Sequence, residues 1–196
     1  MAEKTYREFD PWRVSPIREE KREQVLSTYY FDVDRVNLSN KEIGQFERYI
    51  VRENDGDTVC VLPVTENQEV VFIEQYRVPN HSWTLELPAG HATDPHQHPE
   101  EIAEMKLEEE AGYQASDFSQ VIRFVNTPSF STQHTMIYRA TGLTRVERGD
   151  LGPESPYSNI RVIPLDKAYE MALNGTIVDA KSIIGVLNEY TRHHCH

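Results

Sequence analysis

Between Leu85 and Tyr113 the chain reads LELPAGHATDPHQHPEEIAEMKLEEEAGY, and this stretch holds most of the side chains that could do chemistry. Pro99 stands where a helix starts, and no glycine or proline intervenes before Gly112. The spacing therefore predicts one helix of about three turns. At about 100° per residue, Ala103, Leu107 and Ala111 form an apolar stripe able to face a core. Lys106, Glu109 and Glu110 share the adjoining arc, whereas Glu101, Glu104 and Glu108 point to the opposite, solvated side. Adjacent carboxylates beside a buried stripe repel each other unless a cation lies between them, and hard oxygen ligands favour magnesium or manganese. The simpler alternative for Glu109 and Glu110 is two more charges on a wet helix face, the usual role of a charge run.

Other candidates carry less. His91, His96 and His98 lie on a proline-containing loop at spacings that match no common metal site, and they read as solvated histidines. The terminal RHHCH could chelate a metal, yet a ligand cluster at a mobile terminus is more often incidental. Tyr76 and Trp83 could stack an adenine ring, although a Trp just before a buried strand more often joins the core. Cys60 lies in an apolar run and Cys195 in the tail, a pair with neither metal-ligand spacing nor a disulfide framework.

The elements that must position the acidic helix are mostly strands. Up to about residue 20 the chain reads as a charged arm or short edge elements. VLSTYYFDVDRV and GQFERYIVREN then read as two antiparallel strands on either side of the polar NLSNKEI. Beyond the turn signal at Asn54-Asp55-Gly56-Asp57, TVCVLPVT and EVVFIEQYRV are expected to pair as a buried hairpin. SWTLELP leads into the acidic helix, and QVIRFVN, HTMIYRATGL and NIRVIPL follow as strands. Two more helices are expected, over DKAYEMALN and from about Ala180 to Arg192. Short hairpins alternating with three helices predict an α/β layered domain with a mixed or antiparallel sheet.

Composition narrows the partners. With 196 residues the chain suits one main domain and a small second one. A net charge of −12, from 32 acidic and 20 basic residues, opposes a phosphate-backbone footprint, so no nucleic acid partner is expected. No apolar run approaches membrane-spanning length and the N-terminal segment is charged. No membrane association is expected, and a soluble, cytoplasmic protein is.

The acidic helix with its preceding loop resembles the Nudix box, G-x5-E-x7-R-E-U-x-E-E-x-G-U, where U is aliphatic or aromatic. LEEEAGY fits its end and Gly90 supplies its first glycine. Three departures stand out. The loop after Gly90 is one residue longer, with Gln97 near the first glutamate's place; Met105 replaces the arginine; and Lys106 replaces the glutamate that follows it. EQYRVP, LELPAG, TPSF, ATGL and IPLDKAYEMALNGTIVDAK occur in the order seen in ADP-ribose pyrophosphatases, so the resemblance spans roughly residues 45 to 190. It implies a Nudix-type α/β/α sandwich with a mixed sheet over residues 56–196, and an N-terminal antiparallel β subdomain and arm over residues 1–55 that forms a homodimer. It further implies a nucleoside diphosphate sugar as substrate, with Arg77 and Glu86 lining the cleft. Without the resemblance, Arg77 would read as a surface ion pair.

In such a site Glu109, Glu110, Glu86 and the carbonyl of Ala89 would hold the magnesium or manganese, with Glu109 and Glu110 catalytic. The resemblance also implies a base for the attacking water on the loop before NIRVIPL, where Glu154, in GPESPYSN, is the candidate; Gln133 stands where relatives often carry an acid, and its amide takes no proton. Lys106 replaces an attraction for the cation with a repulsion, each about 4 kcal/mol at 4 Å and an effective dielectric near 20. The lysine could relieve this by swinging its stem outward. Glu104, projecting about 160° away, could not fill the gap. Two functions remain open: a metal-dependent hydrolase of an ADP-ribose-like nucleotide sugar, weakened by Lys106, or a module that grips such a ligand without cutting it, with Lys106 against the phosphates.

Overall fold

The structure, a computed structural model, describes residues 9–54, 56–92, 96–149 and 157–195. Its first unit is an antiparallel meander of β1 (Arg18–Ser27), β2 (Phe31–Asn40) and β3 (Gly44–Glu53). The run VLSTYYFDVDRV is not one strand. The Thr28 hydroxyl accepts from the Phe31 amide at 2.9 Å and donates to the Phe31 carbonyl at 2.7 Å, which closes a turn between β1 and β2. Of the first stretch, residues 18–20 enter β1, an edge strand every residue of which is exposed. Asp32 and Asp34 point inward from β2 and are neutralised by Arg52 at 2.7 Å and Arg22 at 2.9 Å. Residue Val51 of β3 bonds to both Phe130 and Thr132, tying this unit to the rest.

Next come β4 (Thr58–Pro63), β5 (Glu69–Arg77), β6 (Ser82–Glu86) and the two-residue β7 (Ala89–Gly90). Helix α1 (Pro99–Lys106) runs without a break into a π-helical turn, Leu107–Ala111. The chain continues through β8 (Tyr113–Gln114), β9 (Asp117–Val125), β10 (His134–Thr141), β11 (Thr144–Arg145), β12 (Asn159–Pro164), α2 (Leu165–Leu173) and α3 (Ala180–His194). β4 and β5 do not form the expected hairpin. Val64, just past β4, forms an isolated bridge with Val70, and the two strands belong to different sheets, ordered β7-β4-β10-β9 and β12-β5-β6. The reason lies in their composition. Both are apolar on each face, and such strands settle at sheet centres rather than on a half-wet ribbon. β4 runs parallel to β10 while the other pairings are antiparallel, so the sheet system is mixed as predicted.

Alternate residues of β4 and β5 feed two cores. Cys60, Leu62, Val70 and Phe72 pack with Val186 of α3, whereas Val59, Val61, Val71 and Ile73 pack with Ala103 and Leu107 of the acidic helix. This places helices on both faces, the α/β/α sandwich expected. Fully burying a side chain of the size of Leu107 stabilises by about 1.5–3 kcal/mol. Gly185 lets α3 approach closely, since a Cβ there would sit 2.8 Å from Leu87 Cδ1. His193 and His194 belong to α3 instead of hanging free: the His194 ring stacks on Tyr190 at 4.0 Å. Among the described residues no helix is long and apolar enough to cross a membrane.

Candidate active site

Strand β6 ends by directing Glu86 inward, where its side chain is only 5% exposed. Arg77, at the end of the paired strand β5, grips that carboxylate with Nε on Oε1 and Nη2 on Oε2, each at 2.7 Å. The Thr84 hydroxyl donates to Oε1 at 2.8 Å, and the Lys181 ammonium donates to Oε2 at 2.7 Å. Burial by itself would raise the Glu86 carboxyl, but Arg77 and Lys181 hold it at about 2. Lys181 also donates to Asp179 at 2.8 Å, and Asp179 caps α3 by accepting from the Ser182 amide at 3.0 Å. The Ser182 hydroxyl in turn accepts from the Leu87 amide at 2.8 Å. One connected set of charges thus joins β5, β6 and α3.

The acidic helix approaches from the other side. His98 and Glu101 form a reciprocal cap at its start, Pro99 occupies its first turn, and Gly112 ends it in the left-handed region at φ 67°. As the wheel predicted, Ala103, Leu107 and Ala111 are buried, and Glu101, Glu104 and Glu108 are exposed. Glu110 turns inward, and its Oε2 accepts from the Ala89 amide at 3.1 Å. Burial raises the Glu110 carboxyl, an effect partly offset by that amide and by Lys106, Lys181 and Arg77. Glu109 keeps 42% of its side chain exposed and accepts from the Lys106 ammonium at 2.8 Å.

Lys106 does not swing outward. Its stem lies across Gly90, where an added Cβ would overlap Cε and sit 3.3 Å from Nζ, and its side chain is only 17% exposed. Glycine leaves the space, and the two glutamates attract the ammonium into it.

For a divalent cation, the expected donors Glu86, Glu109, Glu110 and Ala89 would all have to turn oxygens toward one point. As arranged they do not. Both oxygens of Glu86 are taken by Arg77, Thr84 and Lys181, and Glu109 holds Lys106. Ala89 meets Glu110 through its N–H. Among the described residues no group of three or more His, Cys, Asp or Glu could hold a metal ion. As arranged, the described residues do not fit a resident divalent ion.

Other expected residues lie elsewhere. Glu154 falls outside the described residues. Gln133 donates to Thr58 at 3.4 Å, the His91 ring is 3.5 Å from that same hydroxyl, and His98 caps a helix. Trp83 is not core. It is 55% exposed and meets Tyr76 edge-on at 5.8 Å, because both alternate with Arg77 and Thr84 along the hairpin and so take its other face. Sequence reasoning missed Lys181, Asp179 and Arg148. A lysine in the first turn of a helix runs against the helix dipole, and that was a legible sign that Lys181 needs a carboxylate partner. Arg148 donates to the Ser158 carbonyl at 2.9 Å and hydroxyl at 2.7 Å; burial lowers its pKa and Glu110 counteracts this. No sequence pattern pointed to it.

The two inward glutamates have opposite linkage to pH. Glu86 is depressed to about 2 from an ordinary value of 4.5, so its contribution to stability is complete above 4.5 and is lost as pH falls toward 2. Glu110 is raised, so the fold favours its protonated form, and that contribution fades as pH rises through the raised value. Urea unfolding at pH 7 should show Glu86→Gln losing about 2–4 kcal/mol, below the full cost of a broken buried pair because Arg77 is half-exposed. Glu110→Gln should hold or gain stability; an equal loss in the two variants would contradict this assignment.

Comparison with known proteins agrees with this architecture. The NUDIX domain family model matches residues 55–184. The methanol dehydrogenase activator of Bacillus methanolicus is 31% identical over 168 residues, covering 85% of this chain and 88% of that protein. The ADP-ribose pyrophosphatase of Bacillus subtilis (strain 168) is 28% identical over 167 residues, covering 84% and 88%. A solved structure of an ADP compounds hydrolase superposes with a TM-score of 0.80 at 20% identity, covering 92% of this chain and 96% of that one, a likeness of fold. With its α/β/α layers, its LEEEAGY helix end and this match over most of its length, the chain belongs to the NUDIX domain family and is a Nudix hydrolase by descent.

Proposed function

We propose that the chain hydrolyses the diphosphate of a nucleoside diphosphate sugar, ADP-ribose or a close relative, to a nucleoside monophosphate and a sugar phosphate. Family membership supports this, as does the relative named ADP-ribose pyrophosphatase. The observation that carries it is the inward Glu110 carboxyl, raised by burial, beside a half-exposed Arg77 guanidinium. A carboxylate with a raised pKa can take a proton from water as it attacks one phosphorus, and the bond from that phosphorus to the bridging oxygen breaks. Arg77 neutralises charge on the phosphoryl oxygens. Glu154 is a second candidate base.

We infer that magnesium or manganese, which the family implies, is held weakly here. A unit charge at 4 Å from the Lys106 ammonium is opposed by about 4 kcal/mol at an effective dielectric near 20. A second reading, ligand capture without turnover, is favoured by the Lys106–Glu109 pair standing where two carboxylates were expected. Residues 1–55 are proposed to form a homodimer, supported by Val25, Leu26, Tyr29 and Tyr30 exposed on or beside β1. The cytoplasmic setting is inferred from a charge of −12 and two unpaired cysteines.

Incubation with ADP-ribose and magnesium or manganese, followed by chromatography, should show AMP from the wild type and a fall of about 100-fold or more in Glu110→Gln. ADP-ribose bound but uncut, with cleavage gained in Lys106→Glu, would establish the second reading. Neither binding nor cleavage would overturn both. Analytical ultracentrifugation should give twice the chain mass, shifting toward the single chain in Leu26→Asp; a monomeric wild type would contradict the dimer.

A further inference from the structure

The cleft neutralises itself. Lys181 is shared by Glu86 and Asp179, Arg77 forks onto Glu86, and Lys106 donates to Glu109. Glu110 lies within the electrostatic reach of Lys106, Lys181, Arg77 and Arg148. Among the described residues joined by these contacts, four carboxylates therefore face four cations. Glu109 and Glu110, the carboxylates that would call for a divalent ion, already have an ammonium beside them. Its position is built from two sides, by the hollow over Gly90 that receives the lysine stem and by the bond to Glu109 that fixes its end.

We propose that Lys106 is a tethered substitute for the divalent cation, so that the site takes a nucleoside diphosphate directly on side-chain cations and needs no metal to bind it. This rests on the nucleoside diphosphate reading above. A free divalent ion would enter this cluster beside the tethered ammonium of Lys106, which removes part of the gain in binding it. Ligand entry has a low-cost route. Glu109 is exposed enough to be rehydrated when Lys106 leaves it, and the flexible lysine stem can carry the ammonium to a phosphate oxygen. Arg77 stays in place, because its fork on buried Glu86 uses Nε and Nη2 and not Nη1. The diphosphate would thus meet one mobile cation and one fixed one.

Two measurements on the full chain test this. Manganese binding is followed by electron paramagnetic resonance without nucleotide, and ADP-ribose binding by calorimetry in EDTA and in magnesium. Circular dichroism is to check that each variant is folded. The wild type should bind manganese no tighter than roughly millimolar, and EDTA should change its ADP-ribose affinity by less than about threefold. Lys106→Glu should bind manganese at least about tenfold tighter and require magnesium for ADP-ribose. Lys106→Gln, lacking either cation, should lose about tenfold or more of its ADP-ribose affinity in EDTA without gaining manganese. A wild-type manganese site of roughly micromolar strength, or about tenfold weaker ADP-ribose binding in EDTA, would overturn the proposal. If the wild type ignores ADP-ribose in both buffers, the nucleoside diphosphate reading falls. The manganese arm then decides alone: tighter binding in Lys106→Glu supports the substitution, and equal binding overturns it.

Discussion

A carboxylate buried as deeply as Glu86 survives in a folded chain only if cations reach it, and much of the site follows from that requirement. Arg77 comes from the end of β5 and Lys181 from the start of α3, so satisfying one side chain fixes the strand end against the helix. Asp179 then serves two ends at once, capping α3 and holding Lys181. The bond from the Leu87 amide to Ser182, and the close approach at Gly185, lock the turn that follows. That turn brings the Ala89 amide onto Glu110 and Gly90 beneath Lys106. The ion chain on the opposite wall thus helps to seat the acidic helix and its inward Glu110 carboxylate.

The same economy separates the two sides of the acidic helix. Glu101, Glu104 and Glu108 remain in water, where their repulsion is screened. Glu109 and Glu110 sit closer to the protein interior, where repulsion would cost more, and Lys106 supplies the counter-charge from one helical turn away. Of the two departures within this helix, Met105 and Lys106, it is the lysine whose ammonium pairs with Glu109. A glutamate at position 106 would add a carboxylate to the pair, whereas the lysine sets an ammonium beside it.

The acidic helix was legible because its information is local. A period of about 3.6 residues separates Ala103, Leu107 and Ala111 from the exposed glutamates without knowledge of any other segment. The strands were legible individually but not in their pairing, since β4 and β5 are apolar on both faces and offer no alternation to assign a partner. Turn chemistry at Thr28 divided a run that composition alone presents as continuous. The cations of the site were the least visible. Lys181 meets Glu86 across 95 positions of sequence, and Arg148 acts on Glu110 from a different loop. The direction of Lys106 depended on the hollow over Gly90, a property of the folded backbone rather than of the helix that carries the lysine.

The most direct test of a cleft balanced by its own side chains is a crystal grown with ADP-ribose and manganese, examined by anomalous diffraction at the manganese edge. A diphosphate lying against Lys106 and Arg77, with no anomalous peak between Glu109 and Glu110, is the predicted result. A manganese ion bound by those two carboxylates, with Lys106 turned out to solvent, would contradict it.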